Sequence, residues 1–335
     1  MKKFIYLFIL VILNSLTSAE SLMVFKTGNY YGVLDEDTLK IIVKPTFTKI
    51  DLSGSTYITE TKDGINSLYY KGVKTFCGRE RIYLINQDVA VVEKGTGKEE
   101  LWNLLQKKKI AEISNAYSSD GPVIPVLYFG EKNKIFHFLD WNGNEKFQLE
   151  LKRVYHVDEK YFVGVLPNFN YAVFDISGNK LSEFSETSQN VSEGLIYGES
   201  TNKVVGYFDI NGNLKFNINI DRYDGYLHAC DFVKGFVLVN TSFEKNEWVI
   251  LNKNGQQTGS FKAFTCSNFI NEFSNVIYKN KKQLTYNFVD VKGKKLSEID
   301  FDYAGVFNKI YANVILDGKS YLINKNGKLI SLDSL

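Results

Sequence analysis

The sequence predicts an all-β fold of tandem antiparallel units, arranged as a β-propeller-like toroid, with an open β-solenoid as the alternative. Three observations predict it. A short pattern recurs along the chain: two to four apolar or aromatic residues, Asp or Asn, two variable residues, usually Gly, then a second β-like run. Aromatic residues make up 15% of the chain, mostly Phe and Tyr, which suit half-buried pleated surfaces. Helical periodicity is weak throughout.

The first element stands outside the array. Lys2 and Lys3 precede an apolar run from Phe4 to Leu13, and a polar stretch then ends in Thr17-Ser18-Ala19. This charged, apolar, small-residue order predicts a secretory signal peptide over residues 1–19, with a retained anchor as the alternative. The apolar run is about half the length a spanning helix needs. No Cys follows it, which argues against a lipoprotein anchor. The expected location is exported: periplasm, cell surface or medium. Residues 20–335 are expected to form one array of about nine repeats, with no membrane span after cleavage.

The copies follow in order. "YGVLDEDTLKII" begins at Tyr31. Two degenerate copies come next, around Gly72 and Lys109; "WNLLQKKKIAEI" from Trp102 keeps the apolar run but lacks Asp and Gly. Then come "HFLDWNGNEKF" from His137, "AVFDISGNKLSEF" from Ala172 and "GYFDINGNLKF" from Gly206. "WVILNKNGQQTGSF" from Trp248, "NFVDVKGKKLSEI" from Asn287 and "YLINKNGKLISL" from Tyr321 complete the series. The turn position falls at Thr38, Gly72, Lys109, Gly143, Gly178, Gly212, Gly255, Gly293 and Gly327, at steps of 34, 37, 34, 35, 34, 43, 38 and 34 residues. Most steps therefore lie between 34 and 38. A second landmark, as in "SEGLIYGE" from Ser192, runs 18 residues ahead of the turn. Glu20 lies 18 before Thr38, so the processed chain would begin where the first repeat begins. A unit of this size cannot bury both faces alone, and stacking on its neighbours does so.

The turn itself admits two readings. Asp209, Asn211 and Asn213 alternate as ligands do at the start of a calcium loop. A calcium loop, however, needs Gly at its sixth position and Glu at its twelfth. Here Gly212 is fourth, the twelfth position is Ile220, and sibling copies carry Gln256 or Lys328 at a ligand position. A type I turn with a following bulge instead needs an Asx residue first and a residue of positive φ fourth. The turn residues on this reading are Asp35, Asp140, Gly143, Asp175, Gly178, Asp209, Gly212, Gly255, Asp290, Gly293 and Gly327. They carry structure, and no metal or cofactor is expected.

These landmarks resemble the WG-repeat family of bacterial proteins, whose units read Trp-Gly-Tyr-Ile-Asp-x-x-Gly, then Val-Ile-x-Pro, a Tyr-Asp pair and Phe-x-Glu-Gly. "YGVLDEDTLKIIVKP" from Tyr31 to Pro45 keeps much of that order, with Tyr31 in the place of Trp. "VVGYFDINGNL" keeps Gly206, Tyr207, Asp209 and Gly212, and "SEGL" and "FDYAGVF" supply the remaining steps. The resemblance spans about residues 20 to 335. It implies an all-β repeat fold and a binding or interaction role, and it supplies no catalytic residues. The chain departs from the pattern at the naming Trp and at the later Pro positions.

Composition narrows the partners. Net charge is +2, and removal of the leader leaves 38 basic against 38 acidic residues, without the basic excess that nucleic acid requires. The run Lys107-Lys108-Lys109 reads as a solvated turn. Three cysteines, Cys77, Cys230 and Cys266, match no zinc spacing; Cys230 and Cys266 either pair or sit as small buried residues. Of the three histidines, His137 and His156 are isolated and His228 lies two before Cys230, a weak metal hint. No nucleophile elbow, phosphate loop or His-Glu-x-x-His occurs. Departures from the repeat mark the candidate contacts. Trp141 sits in the turn Asp140-Trp141-Asn142-Gly143, and the 43-residue step carries Phe243 and Trp248 in "VNTSFEKNEW". "SSDGPVIPVLYFG", residues 118–130, reads as an irregular edge strand. The functional expectation is a monomeric, non-enzymatic scaffold for a protein or glycan partner. A glycan-active enzyme with carboxylates assembled across repeats and an outer-membrane β-barrel are the alternatives.

Overall fold

The repeated runs form strands for a local reason: Val, Ile, Phe and Tyr cluster in short stretches bounded by Asn, Asp and Gly. In a computed structural model, residues 21–95, 97–128, 135–218, 229–242, 244–280 and 283–335 are described. Regular structure among them is β apart from a 3-10 turn at Leu332–Ser334. Strands pair antiparallel with their chain neighbours, so each unit is a meander. Nine units follow one another, here called blades 1 to 9: residues 22–47, 49–78, 82–113, 115–150, 153–187, 184–217, 229–262, 265–295 and 303–331. Blades 5 and 6 share the strand Lys180–Thr187. Its first half pairs with Tyr171–Asp175 and its second with Leu195–Ser200, with a register shift after Phe184.

The second and third strands of a blade carry most of its buried residues, as in Tyr161–Val165 and Tyr171–Asp175, and the fourth is exposed or half-buried, as in Glu145–Glu150. The buried side chains of the described residues fall into nine clusters, and each straddles two blades. Eight of them join consecutive blades. The ninth joins Met23, Phe25 and Leu34 of blade 1 to Leu322 and Leu332 of blade 9. Nine units in an open solenoid would share eight such interfaces. The array is therefore a closed, β-propeller-like ring.

Polar contacts reinforce the closure. The Glu36 carboxylate is 1% exposed and lies over the first turn of blade 9. Its Oε1 accepts from the backbone N–H of Ile310 and Tyr311 at 3.1 and 2.9 Å. Its Oε2 accepts from Asn308 Nδ2 at 2.7 Å, the Lys309 N–H at 3.1 Å and Ser21 Oγ at 3.0 Å. Asn313 Oδ1 of blade 9 in turn accepts from the Lys26 N–H at 2.9 Å.

In a meander the first and third turns lie at one end. Both landmarks of the repeat thus fall on a single face of the ring, here called the turn face. The earlier landmark is a two-residue hairpin: Ser192 and Leu195 exchange backbone hydrogen bonds of 2.8 and 2.9 Å, with Glu193 and Gly194 both at positive φ, the geometry that strand twist favours. In the later landmark, Asp209 Oδ1 accepts from the N–H groups of Asn211 and Asn213 at 3.0 Å each, and Gly212 takes φ +83°. Asp140, Asp175 and Asp290 hold their turns through the same pair of backbone N–H groups, and Asp35 holds those of Asp37 and Thr38. The fourth-position glycine also meets the fourth strand of the preceding blade. A Cβ on Gly255 would lie 2.7 Å from the Phe216 ring, and one on Gly293 2.5 Å from the Ser260 carbonyl oxygen. Gly143, Gly178 and Gly327 make the same approach to Ile110, Phe147 and Leu296.

Three positions differ from the sequence reading. The edge strand expected over 118–130 is instead Ile124–Leu127, an inner strand paired on both sides. The turn placed at Lys109 begins instead at Asn103, because Lys108–Ile113 is a strand. Asn103 Oδ1 accepts from the Gln106 N–H at 2.9 Å, and Lys107 takes φ +52° where a glycine would ordinarily stand. The long 43-residue step owes only two residues to the "VNTSFEKNEW" stretch: Gly235 stands 20 before Gly255, against 18 between Gly194 and Gly212. The rest of the extra length lies ahead of Gly235, which follows Gly212 by 23 residues where Gly194 follows Gly178 by 16.

The turn carboxylates set an acid limit. Partial burial pushes Asp209 up, but the backbone and side chain of Asn213 and the Lys215 ammonium outweigh it and bring the carboxyl down to about 2. Asp140 and Asp175 are lowered by the same balance. A depressed folded pKa contributes stability that is present above the unfolded value of about 3.9 and is lost as pH falls through the folded value. Chemical denaturation should therefore show stability dropping between about pH 4 and 2. Asp209→Asn should reduce that drop while keeping the turn; an unchanged pH profile would rule this origin out.

Candidate functional site

The turn face carries a cleft of about 610 Å³ over blades 2, 3 and 4. It is lined by Ser53, Asn86, Gln87, Asp88, Asn103, Leu105, Gln106, Asp120 and Trp141. Every one of these comes from a first or third turn, or from the strand end beside one. The volume lies within the range of small-ligand sites.

Backbone hydrogen bonding holds the lining. Buried Asn86 accepts from the N–H groups of Asp88 and Val89 at 2.9 and 3.1 Å and donates to the Ser119 carbonyl at 2.8 Å, tying blade 3 to blade 4. Asn103 Nδ2 donates to the Trp141 carbonyl at 3.0 Å, and Gln106 Nε2 donates to Asn142 Oδ1 at 2.9 Å. The Trp141 turn is thus clamped from blade 3. Its ring is half-buried against the cluster holding Ile113 and Ile124. Asp88 Oδ1 accepts from Tyr70 Oη at 3.0 Å; burial first, and then this carboxylate, push the phenol up to about 12.

Three departures from the repeat meet here. The third turn of blade 3 lacks the Asp-x-x-Gly spelling. Trp141 occupies the third turn of blade 4. The first connection of blade 4, residues 117–123, lacks the two-residue hairpin that ends the comparably long connections of blades 6, 7 and 8, where Ser192/Leu195, Val233/Phe236 and Ile270/Phe273 exchange backbone hydrogen bonds. That connection packs in parallel on blade 5 through Ser119 and Val157, and the Val157 carbonyl accepts from the Asp120 N–H at 2.9 Å. His156 latches it: Nδ1 lies 3.1 Å from Ser118 Oγ and Nε2 lies 3.3 Å from Asp120 Oδ2. This order of contacts is that of a hydrolase relay. The Asp120 side chain is 68% exposed, however, so its charge is solvated and unsuited to hold an imidazolium in a shielded site. The contact works as a fastening of the loop.

Trp141 stands in the cleft. Trp248 does not contribute to a contact surface: it is 7% exposed and its Nε1 donates to the Ala263 carbonyl at 3.1 Å, so it is a core residue between blades 7 and 8. Its aromatic, strand-located position favours burial over display. Phe243, His228 and the leader 1–19 lie outside the described residues. Cys230 and Cys266 are free thiols in side-chain contact with one another, packed on one cluster; burial first, and then the neighbouring Cys230, push the Cys266 thiol far up. Cys77 is exposed on blade 2. Among the described residues no group of three or more His, Cys, Asp or Glu side chains is placed to hold a metal ion, and no helix is long and apolar enough to cross a membrane. Asn86, Gln87, Asp88, Asn103, Gln106 and Asp120 were not legible as site residues. Their one sequence signal is the clustering of degenerate copies ahead of Trp141.

The ring and its turn-face cleft define a closed, β-propeller-like repeat protein. No protein-family model matches the chain, and no curated protein matches it. Among solved structures it is similar to one described as a eukaryotic initiation factor, at 9% identity and a TM-score of 0.65, over 93% of this chain and 95% of that one. It is also matched by BamB from Moraxella catarrhalis at 16% identity and a TM-score of 0.48, over 83% of this chain and 91% of that one. The C-terminal WD40 domain of Sif2 matches at 13% identity and a TM-score of 0.45, over 79% and 91%. These likenesses bear on the fold alone.

Proposed function

We propose that this chain is an exported, non-enzymatic repeat scaffold of the bacterial envelope that binds a protein or polysaccharide partner through its turn face. The observation that carries the reading is the cleft around Trp141, built where three departures from the repeat converge. In a repeat array the uniform positions serve stacking, and residues free of that duty are available to a partner. The turn spelling supports placement beside the WG-repeat proteins, and the Lys-Lys, apolar, Thr-Ser-Ala order of residues 1–19 supports export.

The test is retention of envelope proteins and cell-wall glycan from the host on the immobilised protein, compared with a Trp141→Ala variant. Retention lost in the variant supports the reading. Retention equal in both would remove the cleft from it, and cleavage of a retained glycan would overturn the non-enzymatic part.

Export has a chemical readout of its own. In an oxidising compartment the two touching thiols lose two protons and two electrons to the disulfide of an exchange partner, and a Cys230–Cys266 bond joins blades 7 and 8. Protein alkylated before isolation should carry label on Cys77 only. Three labelled cysteines would count against an oxidising location.

A further inference from the structure

We propose that the Trp141 cleft binds an uncharged oligosaccharide and rejects anionic glycans. This rests on the reading of the cleft as the partner site and narrows its ligand class. The argument is the chemistry of the lining. Four primary amides (Asn86, Gln87, Asn103, Gln106), the carboxylates Asp88 and Asp120, and the Ser53 hydroxyl surround one indole, and no Lys or Arg contributes. Sugar hydroxyls both donate and accept, and planar amides and carboxylates meet them in pairs. The apolar C–H face of a pyranose ring packs on an aromatic face, and an indole adds a polar handle at its edge. Among the described residues the Trp141 indole N–H and the Gln87 side-chain amide meet no hydrogen-bond partner, while Asn86 spends its amide on Ser119 and its own turn. Trp141 and Gln87 are therefore the groups open to a ligand, with Asp88 and Asp120 as further acceptors.

Charge decides between glycan classes. Two carboxylates without a lining cation repel uronate or sulfate groups, and desolvating an anion beside them has no compensation. A peptide groove would show apolar pockets for side chains. Exposed Leu105 is the sole aliphatic residue of this lining.

The experiment is calorimetric titration of the full chain with maltohexaose, cellohexaose, N-acetylchitohexaose and hexagalacturonate, repeated with Trp141→Ala, Trp141→Phe and Gln87→Ala. At least one neutral hexamer should bind and hexagalacturonate should not. Trp141→Ala should weaken binding about tenfold or more, and Trp141→Phe, which keeps an aromatic face and the ring packing, should restore most of it. Binding of hexagalacturonate alone, or of no glycan, overturns the ligand class. If a protein partner is then retained and lost with Trp141→Ala, the partner-site reading stands without this narrowing. If the variant changes no binding of any kind, both fall.

Discussion

Glu36→Ala should destabilise the protein by about 3–5 kcal/mol and lower the cooperativity of its unfolding. The wild-type carboxylate is buried and accepts from three consecutive backbone N–H groups, Lys309, Ile310 and Tyr311, besides Asn308 and Ser21. Truncation strips the shared acceptor from five part-buried hydrogen bonds, and even after water reaches the exposed Asn308 and Lys309 donors, the Ile310 and Tyr311 N–H groups still cost about 1–3 kcal/mol each. Removing one side of a buried charged contact falls in the same range. Position adds to the effect. The contact joins the first blade to the last, so its loss weakens the one interface that separates a ring from an open array. An open array unfolds from its ends, repeat by repeat. The neighbouring Asp37–Lys309 pair, at 3.4 Å with both side chains solvated, is the control: Asp37→Ala should cost no more than about 1 kcal/mol. Urea denaturation checks both, and a Glu36→Ala variant with wild-type midpoint and slope would refute this account of closure.

Phe288→Ala should cost a comparable amount, about 3–5 kcal/mol, through a different term. Phe288 is 0% exposed in the cluster between blades 8 and 9, and its ring meets Phe307 edge-on at 4.8 Å. Removing it forfeits the transfer of an aromatic ring out of water and leaves a cavity that neighbouring strands cannot collapse to fill. Phe169 provides the contrast. It is 69% exposed, sits in a turn at φ +70° and lies beneath the Lys152 ammonium at 4.0 Å. Its replacement by Ala should shift stability by less than about 1 kcal/mol. Equal effects at the two positions would mean that interblade burial is not the main source of stability.

Part of this structure was legible in the sequence. Turn chemistry is local: an Asx residue bonds its own following amides and a fourth residue takes positive φ, so Asp209 and Gly212 announce a hairpin wherever the chain runs. Counting those turns yields nine units and their period, and the length of the apolar runs yields strands. The blade 3 turn was misplaced by local reasoning as well, since Asn103 and Lys107 perform the same roles with residues that carry no distinctive spelling.

The sequence by itself thus determined the β class, the number of units and the turn geometry. Tertiary structure alone decided that the array closes, because closure rests on Glu36 meeting residues more than 270 positions away. It also decided that Trp248 is core while Trp141 faces a cleft. Both are aromatic departures from one pattern. Their difference lies in what the adjoining blade presents: the packed Phe269, Val276 and Val289 of blade 8 to Trp248, polar turns of blade 3 to Trp141. Burial is a property of two surfaces, and a repeat written along one chain specifies only its own.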